Sequence, residues 1–400
     1  MSSSRADATY ATTRSSQIGF SDACSLYVHL PWCTRKCPYC DFNSYERPDT
    51  LPEQGYVQAL LSDLQFEVQQ TDAAAINSIY MGGGTPSLFS VDAIARLLDG
   101  IHSIVGIEDT AEITLEANPG THEAGRFAGY RAAGVGRLSI GVQSLRDAQL
   151  RTLGRVHDAD AARRAVAAAL EADFDSVNVD VMYGLPGDGV EDSLNDLRAL
   201  LALGTPHVSW YQLTLEPNTA WERRPPAALP DDDVIVQVEE AGRAMLRDSG
   251  LARYEISAYA KPGHRCIHNL HYWHFGDYIG IGAGAHGKRR RAPGIGHVRQ
   301  SKLRNPRSFI AAAGSERCIE STQTVTEARA VALEFLMNAL RLMDGTPTAL
   351  MMAATGVDAV EFDDALQQAR GSGLLETDAE RLRVTSAGAS RINEILRTLC

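Results

Sequence analysis

The sequence predicts an α/β fold: a partial (β/α)6 barrel followed by a smaller, mostly helical domain with a winged-helix-like pattern. Two observations predict the barrel. Short apolar runs alternate strictly with helix-like segments between residues 27 and 248. The polar motifs of the chain follow these runs directly, and the carboxyl ends of parallel strands in a barrel lie together at one mouth. The sequence therefore predicts a single active site at that mouth.

The six predicted strands are compact apolar runs bounded by turn-forming residues. The first, at 27–30, stops at Pro31, which has no backbone N–H to continue a sheet. The other five are predicted at 76–81, 112–117, 137–142, 176–183 and 208–213. Helices, indicated by apolar residues every three to four positions, are predicted at 56–69, 91–104, 122–133, 159–172, 190–203 and 233–248. Strict alternation of this kind requires a parallel sheet with helices outside it.

The chain divides into four predicted regions. Residues 1–24, rich in Ser, Thr and Ala, lack the apolar core of a secretion signal, so we predict a disordered tail. The barrel is assigned to 25–257. Residues 258–325 are interpreted as a connecting region, whose basic run at 288–291 is typical of a solvated loop. Residues 326–400 follow a helix, hairpin and helix pattern in which no basic recognition helix is evident, so we interpret them as a scaffolding domain.

Composition narrows the class of protein. Of 400 residues, 44% are hydrophobic and 22% are charged, as in a soluble globular protein. The net charge of −12 argues against a nucleic-acid surface, which would show a concentrated basic face. No apolar run approaches the roughly 18 residues that span a bilayer. Seven cysteines, three of them clustered, indicate a reducing compartment, so we expect a cytoplasmic protein.

The clustered cysteines directly follow the first strand. Cys33, Cys37 and Cys40 have the spacing C-x3-C-x2-C, which makes poor disulfide partners and good metal ligands. An iron–sulfur cubane takes one cysteine per iron, so three cysteines would leave one iron open to chelate a small molecule. The alternative is a structural zinc knuckle closed by His29 or Cys24. It is disfavoured because the chain has no second cysteine pair.

Polar residues at the other strand ends predict a ligand groove. Glycines there permit close backbone approach, a carboxylate can accept two ribose hydroxyls, and an arginine can pair with a carboxylate. Each residue could be an ordinary polar residue inside a barrel, but together they are hard to interpret as scaffold. The members are Gly84 and Thr85 after the second strand, Glu116 at the end of the third, Gln143 at the end of the fourth, Arg155 shortly beyond it, and Asp180 on the fifth.

The cysteine spacing with an open iron resembles the radical S-adenosylmethionine (SAM) superfamily. This resemblance implies a [4Fe–4S] cluster on Cys33, Cys37 and Cys40, with the amino and carboxylate groups of SAM on the fourth iron. It also implies that Tyr39 packs on the adenine and that the glycine loop, the GGGT sequence at 82–85, pairs with SAM. SAM would then lie across the strand ends.

A narrower resemblance covers about residues 25–400. The motifs YxHxPxC, GGGTPS, GVQS and DVMYGLP resemble the family of oxygen-independent coproporphyrinogen III oxidase. That oxidase has a fourth cysteine two residues after the third, where this chain has Phe42, and a longer leader. By this resemblance SAM is surrounded by Tyr27, Tyr39, Gly84, Thr85, Glu116, Gln143, Arg155 and Asp180.

In both of these respects the sequence resembles the sister group of the oxidase, the HemW haem chaperones. Trp32, the DFN sequence at 41–43 and the HNxxYW motif at 268–273 also match that group. The resemblance implies that the protein binds haem and transfers it to an acceptor protein, with respiratory haem enzymes as candidates.

Four histidines lie near the HNxxYW motif, and any of them could be an ordinary hydrogen-bonding residue. Haem iron takes a histidine or a thiolate as axial ligand. The family motif singles out His268, and Cys266 is a more distant alternative. The histidines are His268, His271, His274 and His286.

We therefore expect a haem chaperone that binds haem, a [4Fe–4S] cluster and SAM, with no nucleic-acid partner and no membrane-spanning segment. The alternative function is radical decarboxylation of coproporphyrinogen III, against which Phe42 argues. A third class, a zinc-stabilised interaction module, is the least favoured.

Overall fold

The computed structural model describes residues 24–71, 75–120, 124–291 and 296–399. Of the predicted amino-terminal tail, all but Cys24 lies outside the described residues. No helix within these ranges is long and apolar enough to cross a membrane.

Within the described residues, a twelve-stranded sheet contains the barrel and extends beyond it on both sides. Its order is β14-β13-β12-β11-β1-β4-β5-β6-β7-β8-β10-β9, and two pairs of short strands, β2–β3 and β15–β16, lie outside it. The strands are β1 (Cys24–Leu30), β2 (Trp32–Cys33), β3 (Tyr45–Glu46), β4 (Ile76–Gly83), β5 (Ile107–Ala117), β6 (Arg137–Gln143), β7 (Ser176–Tyr183), β8 (His207–Gln212), β9 (Ala252–Arg253), β10 (Ala258–Ala260), β11 (Tyr278–Ile281), β12 (His286–Arg290), β13 (His297–Lys302), β14 (Ile319–Val325), β15 (Thr346–Pro347) and β16 (Arg381–Leu382).

The six predicted strands are β1, β4, β5, β6, β7 and β8, and each runs parallel to the next. Helices connect them, as the alternation of the sequence predicts, and the predicted fold class is confirmed. The helices are α1 (Glu53–Val68), α2 (Val91–Val105), α3 (Phe127–Ala132), α4 (Asp147–Thr152), α5 (Ala159–Glu171), α6 (Val190–Leu201), α7 (Ala220–Arg223), α8 (Asp232–Asp248), α9 (Ile267–Trp273), α10 (Pro306–Ala312), α11 (Ala328–Ala339), α12 (Thr348–Thr355), α13 (Asp363–Gly371), α14 (Ser386–Ala389) and α15 (Ile392–Leu399). Within the barrel, the sequence interpretation missed α4 and α7, which are short; outside it, α9, α10 and α12 were also not predicted.

Side-chain caps fix where several helices begin. The oxygen of Ser90 accepts a hydrogen bond from the Ala93 N–H at the start of α2. Asp158 caps α5 and Asp231 caps α8 in the same way. Each cap satisfies a backbone donor that the first helical turn leaves without a partner.

Alternate residues of the parallel strands separate a polar inner face from an apolar outer face. On β1 and β4 the inner residues pair as Ser25 with Ser78 and Tyr27 with Tyr80. The residues between them, such as Leu26 and Ile79, are fully buried against the outer helices. The apolar outer face supplies the core of the barrel domain, and the polar inner face is left to form a site.

Residues 258–325, interpreted from the sequence as a connecting region, contribute five strands in the part of this range that the structure describes. The first, β10, pairs antiparallel with β8. At the other edge, β11 runs parallel to β1, and β12, β13 and β14 follow antiparallel to one another. The sequences of β12 and β13, HGKRR and HVRQSK, carry no apolar run, so only pairing with neighbouring strands identifies them.

The interpretation of the basic run as a solvated loop is wrong. Lys288 lies in β12 and is buried, and its Nζ donates to Asp277 and to the backbone oxygen of Phe275. Arg289 contacts Gln70 and Glu67 instead of solvent alone. A buried lysine requires such partners, because an unpaired charge would be costly there.

The carboxyl-terminal helices enclose a second hydrophobic core. Strands β15 and β16 pair antiparallel, and a bridge joins Leu375 to Val384, so a small hairpin lies among the helices, in agreement with the predicted pattern. Phe275, from the loop after α9, belongs to this second core. The carboxyl-terminal domain therefore packs directly on the segment that carries the HNxxYW motif.

Candidate functional site

The loop with the three cysteines is closed at its base by main-chain hydrogen bonds. β2 and β3 pair through Trp32 with Tyr45 and through Cys33 with Glu46, and the Tyr45 N–H donates to the Pro31 oxygen at 2.8 Å. Within the loop, the Cys40 N–H donates to the Cys37 oxygen at 3.2 Å. All three cysteines are free thiols of intermediate exposure. The loop thus presents three accessible thiols beside the end of β1.

The donor set fits an iron–sulfur cluster. Burial raises the pKa of Cys33 and of Cys40, so both are held as thiols until a metal displaces their protons. Across the described ranges no three His, Cys, Asp or Glu side chains converge on one ion position, whereas a cubane takes one thiol on each of three irons.

The two residues considered as a fourth zinc ligand are both engaged elsewhere. His29 uses Nδ1 with the Tyr27 hydroxyl at 3.1 Å and Nε2 with the Asn43 oxygen at 2.9 Å. Cys24 stands at the opposite end of β1, and its thiol contacts the Ser25 oxygen. Neither residue is therefore available as a fourth zinc ligand at this loop.

The glycine loop at the end of β4 packs directly on the cysteine loop. A Cβ on Gly83, whose φ is +110°, would lie 2.4 Å from the His29 ring. A Cβ on Gly84 would lie 2.6 Å from the Trp32 backbone oxygen. The backbone N–H groups of Gly84 and Thr85 donate to Leu30 and Trp32. Only residues without a side chain permit this close approach.

A chain of hydrogen bonds joins the glycine loop to one of the cysteines. The Asn118 amide donates to the Thr85 hydroxyl at 2.7 Å. Arg155 donates to Asn118 and to the Gly141 oxygen from Nη2, and its Nη1 lies 3.7 Å from the Cys37 sulfur. Arg155 thus brings a fixed positive charge to the edge of the cysteine loop, where it can also meet a carboxylate.

Glu116 lies between the glycine loop and the barrel interior. Its two oxygens accept hydrogen bonds from the Tyr80 hydroxyl at 2.9 Å and from the Gly83 N–H at 3.2 Å. Burial, and then the Asp180 carboxylate, raise the pKa of Glu116 to about 7. Asp180 in turn accepts from Asn178 at 2.7 Å, and burial raises its pKa as well. Two carboxyl groups therefore face the same space.

Gln143 ends β6 in a left-handed backbone conformation, with φ of +68°, next to a register shift in the ladder with β7. Its side-chain oxygen accepts from the Tyr211 hydroxyl at 2.7 Å. A non-glycine residue in this conformation is strained, and such strain is concentrated at functional sites. Tyr39 packs on Trp221 with ring centroids 5.7 Å apart, which fixes the aromatic ring before the third cysteine.

Four contributors to this groove were missed by the sequence analysis. Tyr80 lies inside an apolar run interpreted as core, although it falls on the inner face by alternation. Asn118, Tyr211 and Trp221 gain their places from contacts with Arg155, Gln143 and Tyr39 respectively. No sequence spacing indicates those contacts, because the partners are far apart along the chain.

His268 lies on α9, packed against the inner face of β4. Its Nδ1 is 3.2 Å from the Ser78 hydroxyl, and its ring centroid is 5.1 Å from that of Tyr80. Nε2 makes no hydrogen bond with any residue that the structure describes. Burial lowers the pKa of His268 to about 3, so the imidazole is neutral, which is the form that binds a metal.

Two other candidates close to His268, namely His271 and Cys266, are held by protein contacts. His271 uses Nδ1 with Asn77 and Nε2 with the Asp277 oxygen. Cys266 is buried, and its thiol contacts Glu112 at 3.3 Å. His268 is therefore the residue of this motif with a ring nitrogen available.

A cavity of about 670 Å³ lies beside the cysteine loop, within the range of small-molecule and cofactor sites. His268 and His286 line it, together with aromatic side chains and a few charged residues at its rim. The lining includes Tyr27, Phe42, Tyr272, Tyr278, Asp41, Arg304 and Glu320. Phe42 is 58% exposed, so an apolar ring faces an open space. Tyr27 lines this cavity and packs on Tyr80, whose hydroxyl donates to Glu116.

Comparison with known proteins agrees with this architecture. Residues 27–200 match the Radical SAM superfamily, and residues 327–390 match the HemN C-terminal domain. The solved coproporphyrinogen III oxidase (HemN) from Escherichia coli has the same fold, with a TM-score of 0.79 at 20% identity over 96% of this chain and 91% of that one. The curated protein "Heme chaperone HemW" of Escherichia coli K12 is 46% identical over 93% of this chain and 97% of its own length. Its Haemophilus influenzae counterpart is 44% identical over 93% and 96%. The chain therefore belongs to the HemW family of the radical SAM superfamily.

Proposed function

We propose that this protein is a haem chaperone: it binds haem in the cavity beside the cysteine loop and transfers it to an acceptor protein. The observation that carries the proposal is the cavity itself. It combines an imidazole with an available nitrogen, His268, with aromatic surface from Phe42 and Tyr272. The imidazole can bind the haem iron, and the aromatic surface can pack on a porphyrin face. The relatives named heme chaperone support the same function.

In this proposal Cys33, Cys37 and Cys40 hold three irons of a [4Fe–4S] cluster. Glu116 would accept from the ribose hydroxyls of SAM and Arg155 would face its carboxylate, in the groove from the glycine loop to Asp180. When bound, the cluster supplies one-electron chemistry and an open iron for SAM. Because Phe42 borders both the cysteine loop and the cavity, occupancy of the loop can affect the haem site directly.

The shape of the cavity suits a bound haem that is later transferred to another protein. His268 is partly covered by Tyr80 and Ser78, whereas Phe42, His286 and Arg304 at the rim are exposed. A bound porphyrin would present one edge to solvent, where an acceptor protein can reach it. We propose a cytoplasmic location, since the six described cysteines are all free.

The test begins with anaerobic protein whose cluster has been rebuilt, which should carry about four iron and four sulfide per chain. Substitution of Cys33, Cys37 or Cys40 by alanine should abolish the binding of iron and sulfide. Haem titration should saturate at one per chain. Transfer to a haem-free acceptor, with apomyoglobin as the probe, should accelerate with acceptor concentration if haem is passed in a complex. A transfer rate fixed by haem dissociation alone would contradict the chaperone function.

The same preparation tests the alternative. Incubated with coproporphyrinogen III, SAM and reductant, it should form no protoporphyrinogen. Turnover comparable to that of a coproporphyrinogen III oxidase assayed in parallel would favour the enzyme instead.

A further inference from the structure

A second histidine, His286, lines the cavity that contains His268, and it comes from a different part of the fold. It is the first residue of β12, and its side chain is exposed. Its imidazole makes no hydrogen bond with any side chain or backbone group in the described part of the protein.

Close backbone packing fixes the position of His286. The strand before it passes so close that a Cβ on Gly280 would lie 2.0 Å from the His286 carbonyl oxygen. The turn between these strands is fixed on the cysteine loop, because Asn43 donates to the Ala283 oxygen at 2.9 Å. A Cβ on Gly284 would lie 2.3 Å from the same Asn43 side chain. A hydrogen bond and close packing therefore tie this turn to the cysteine loop.

The lining of the cavity offers few ligands for a haem iron. His29 reaches it but uses both ring nitrogens. Asp41 and Glu320 are exposed carboxylates at the rim, and neutral imidazoles are better axial ligands for haem. Among the lining residues, His268 and His286 are the two imidazoles without a second internal bond.

We propose that His286 is the second axial ligand of the bound haem, giving bis-histidine coordination with His268; this rests on the proposed function. The two ligands differ in setting, since His268 is held by Ser78 and packs on Tyr80, whereas His286 is exposed. An incoming ligand from an acceptor protein would replace the exposed imidazole first. The released imidazole needs no proton or electron, because the exchange swaps one neutral ligand for another.

The test is ferric haem titration of the full-length, cluster-loaded protein, followed by absorption and electron paramagnetic resonance. Wild type should give a six-coordinate, low-spin spectrum. His286→Ala should give a high-spin spectrum and bind haem at least about tenfold more weakly, a loss of about 1.4 kcal/mol. Added imidazole should restore the low-spin form. His102→Ala, at an exposed histidine on α2, serves as the matched control and should behave as wild type.

The outcomes separate the two proposals. If wild type binds no haem, the proposed function fails. If wild type binds haem but is high-spin, or if His286→Ala retains the low-spin spectrum, the second ligand is wrong while the haem site stands. Iron content and SAM binding equal to wild type show that the variant is folded, so loss of the low-spin form then supports ligation by His286.

Discussion

At the scale of single residues, Glu116 is the most informative position in the groove. It accepts from Tyr80 and Gly83, and a ribose would compete for the same oxygens. We expect Glu116→Ala to weaken SAM binding by about 1.5–3 kcal/mol, the range for hydrogen bonds to a charged group. Asp180→Ala should act in the same direction. Calorimetry on anaerobic, cluster-loaded protein measures both.

The control for this prediction is Asp109→Ala, an exposed carboxylate at the other end of β5, which should leave SAM affinity unchanged. Iron content should stay at the wild-type level in all three variants, because none of these residues is a proposed iron ligand. Unchanged SAM affinity in both Glu116→Ala and Asp180→Ala would mean that SAM lies elsewhere.

Glu116 also predicts a pH dependence of stability. Its pKa is raised to about 7 in the folded protein, chiefly by burial, from about 4.3 in an unfolded chain. Between these values the folded state binds more protons than the unfolded state, so the free energy of unfolding falls as pH rises. The Glu116→Gln variant lacks this pH-dependent contribution to the free energy of unfolding, because glutamine does not titrate. Relative to wild type, the variant should therefore gain stability between about pH 5 and about pH 8.

Urea unfolding of both proteins at the two pH values checks this prediction. The comparison of wild type with variant cancels the titration of other groups. A stability difference that is the same at both pH values would show that Glu116 titrates normally.

At the scale of elements, we predict that the glycine loop after β4 does not tolerate substitution, because its surroundings leave no space for a Cβ atom. Gly83→Ala would place a Cβ 2.4 Å from His29, in a backbone with φ of +110°. We expect Gly83→Ala to lower the free energy of unfolding by about 2–5 kcal/mol, from backbone strain and overpacking together. Gly106 at the end of α2 also has positive φ, at +75°, but open space around it, so Gly106→Ala should cost only about 1 kcal/mol.

Chemical unfolding of the two variants isolates the effect of the contact with His29 from that of backbone conformation. Gly83→Ala should also lower iron content, since His29 bridges Tyr27 and the Asn43 backbone beside the cysteines. Equal losses of stability in the two variants would show that the close packing of the glycine loop is unimportant.

The elements of the barrel could be predicted because each carries its own signal. Ile76–Gly83 and Ser176–Tyr183 are apolar, β-branched runs that end in turn residues, and the helices between strands have an apolar stripe. The outer strands β12 and β13 carry no such signal. Their residues are mostly polar, and Lys288 is buried only because Asp277 and Phe275 are brought to it by the fold.

The same distinction holds in the site. Cys33, Cys37 and Cys40 are recognisable because their spacing is local, and Glu116 because it ends a strand. The link from Arg155 through Asn118 to Thr85 joins three separate loops, and nothing in any one of them indicates it. Closeness along the chain groups His286 with His268, His271 and His274, but of these four only His286 and His268 line the cavity.

At the scale of the whole molecule, Phe275 connects the candidate haem site with the carboxyl-terminal domain. It follows α9 by two residues and has a left-handed backbone, with φ of +63°. Its ring packs edge-on against Phe335 of α11 with centroids 5.8 Å apart. Lys288 lies 4.0 Å above the same ring. Because the strained loop is held from both sides, the helix that carries His268 is fixed by the second core.

This coupling predicts a remote effect on haem. Phe335→Ala should cost about 3–5 kcal/mol of stability, as for other large-to-small changes at a fully buried aromatic. It should also raise the haem dissociation constant several-fold, because Phe275 and then α9 lose their support. Cluster content and SAM affinity should remain at wild-type levels, since the groove lies on the inner face of the barrel. Met337→Ala, at a side chain of the same helix that is 49% exposed, is the matched control and should change none of these. Haem titration beside thermal melting distinguishes the possibilities: a variant with a lowered melting temperature and unaltered haem affinity would show that the carboxyl-terminal domain is a passive appendage.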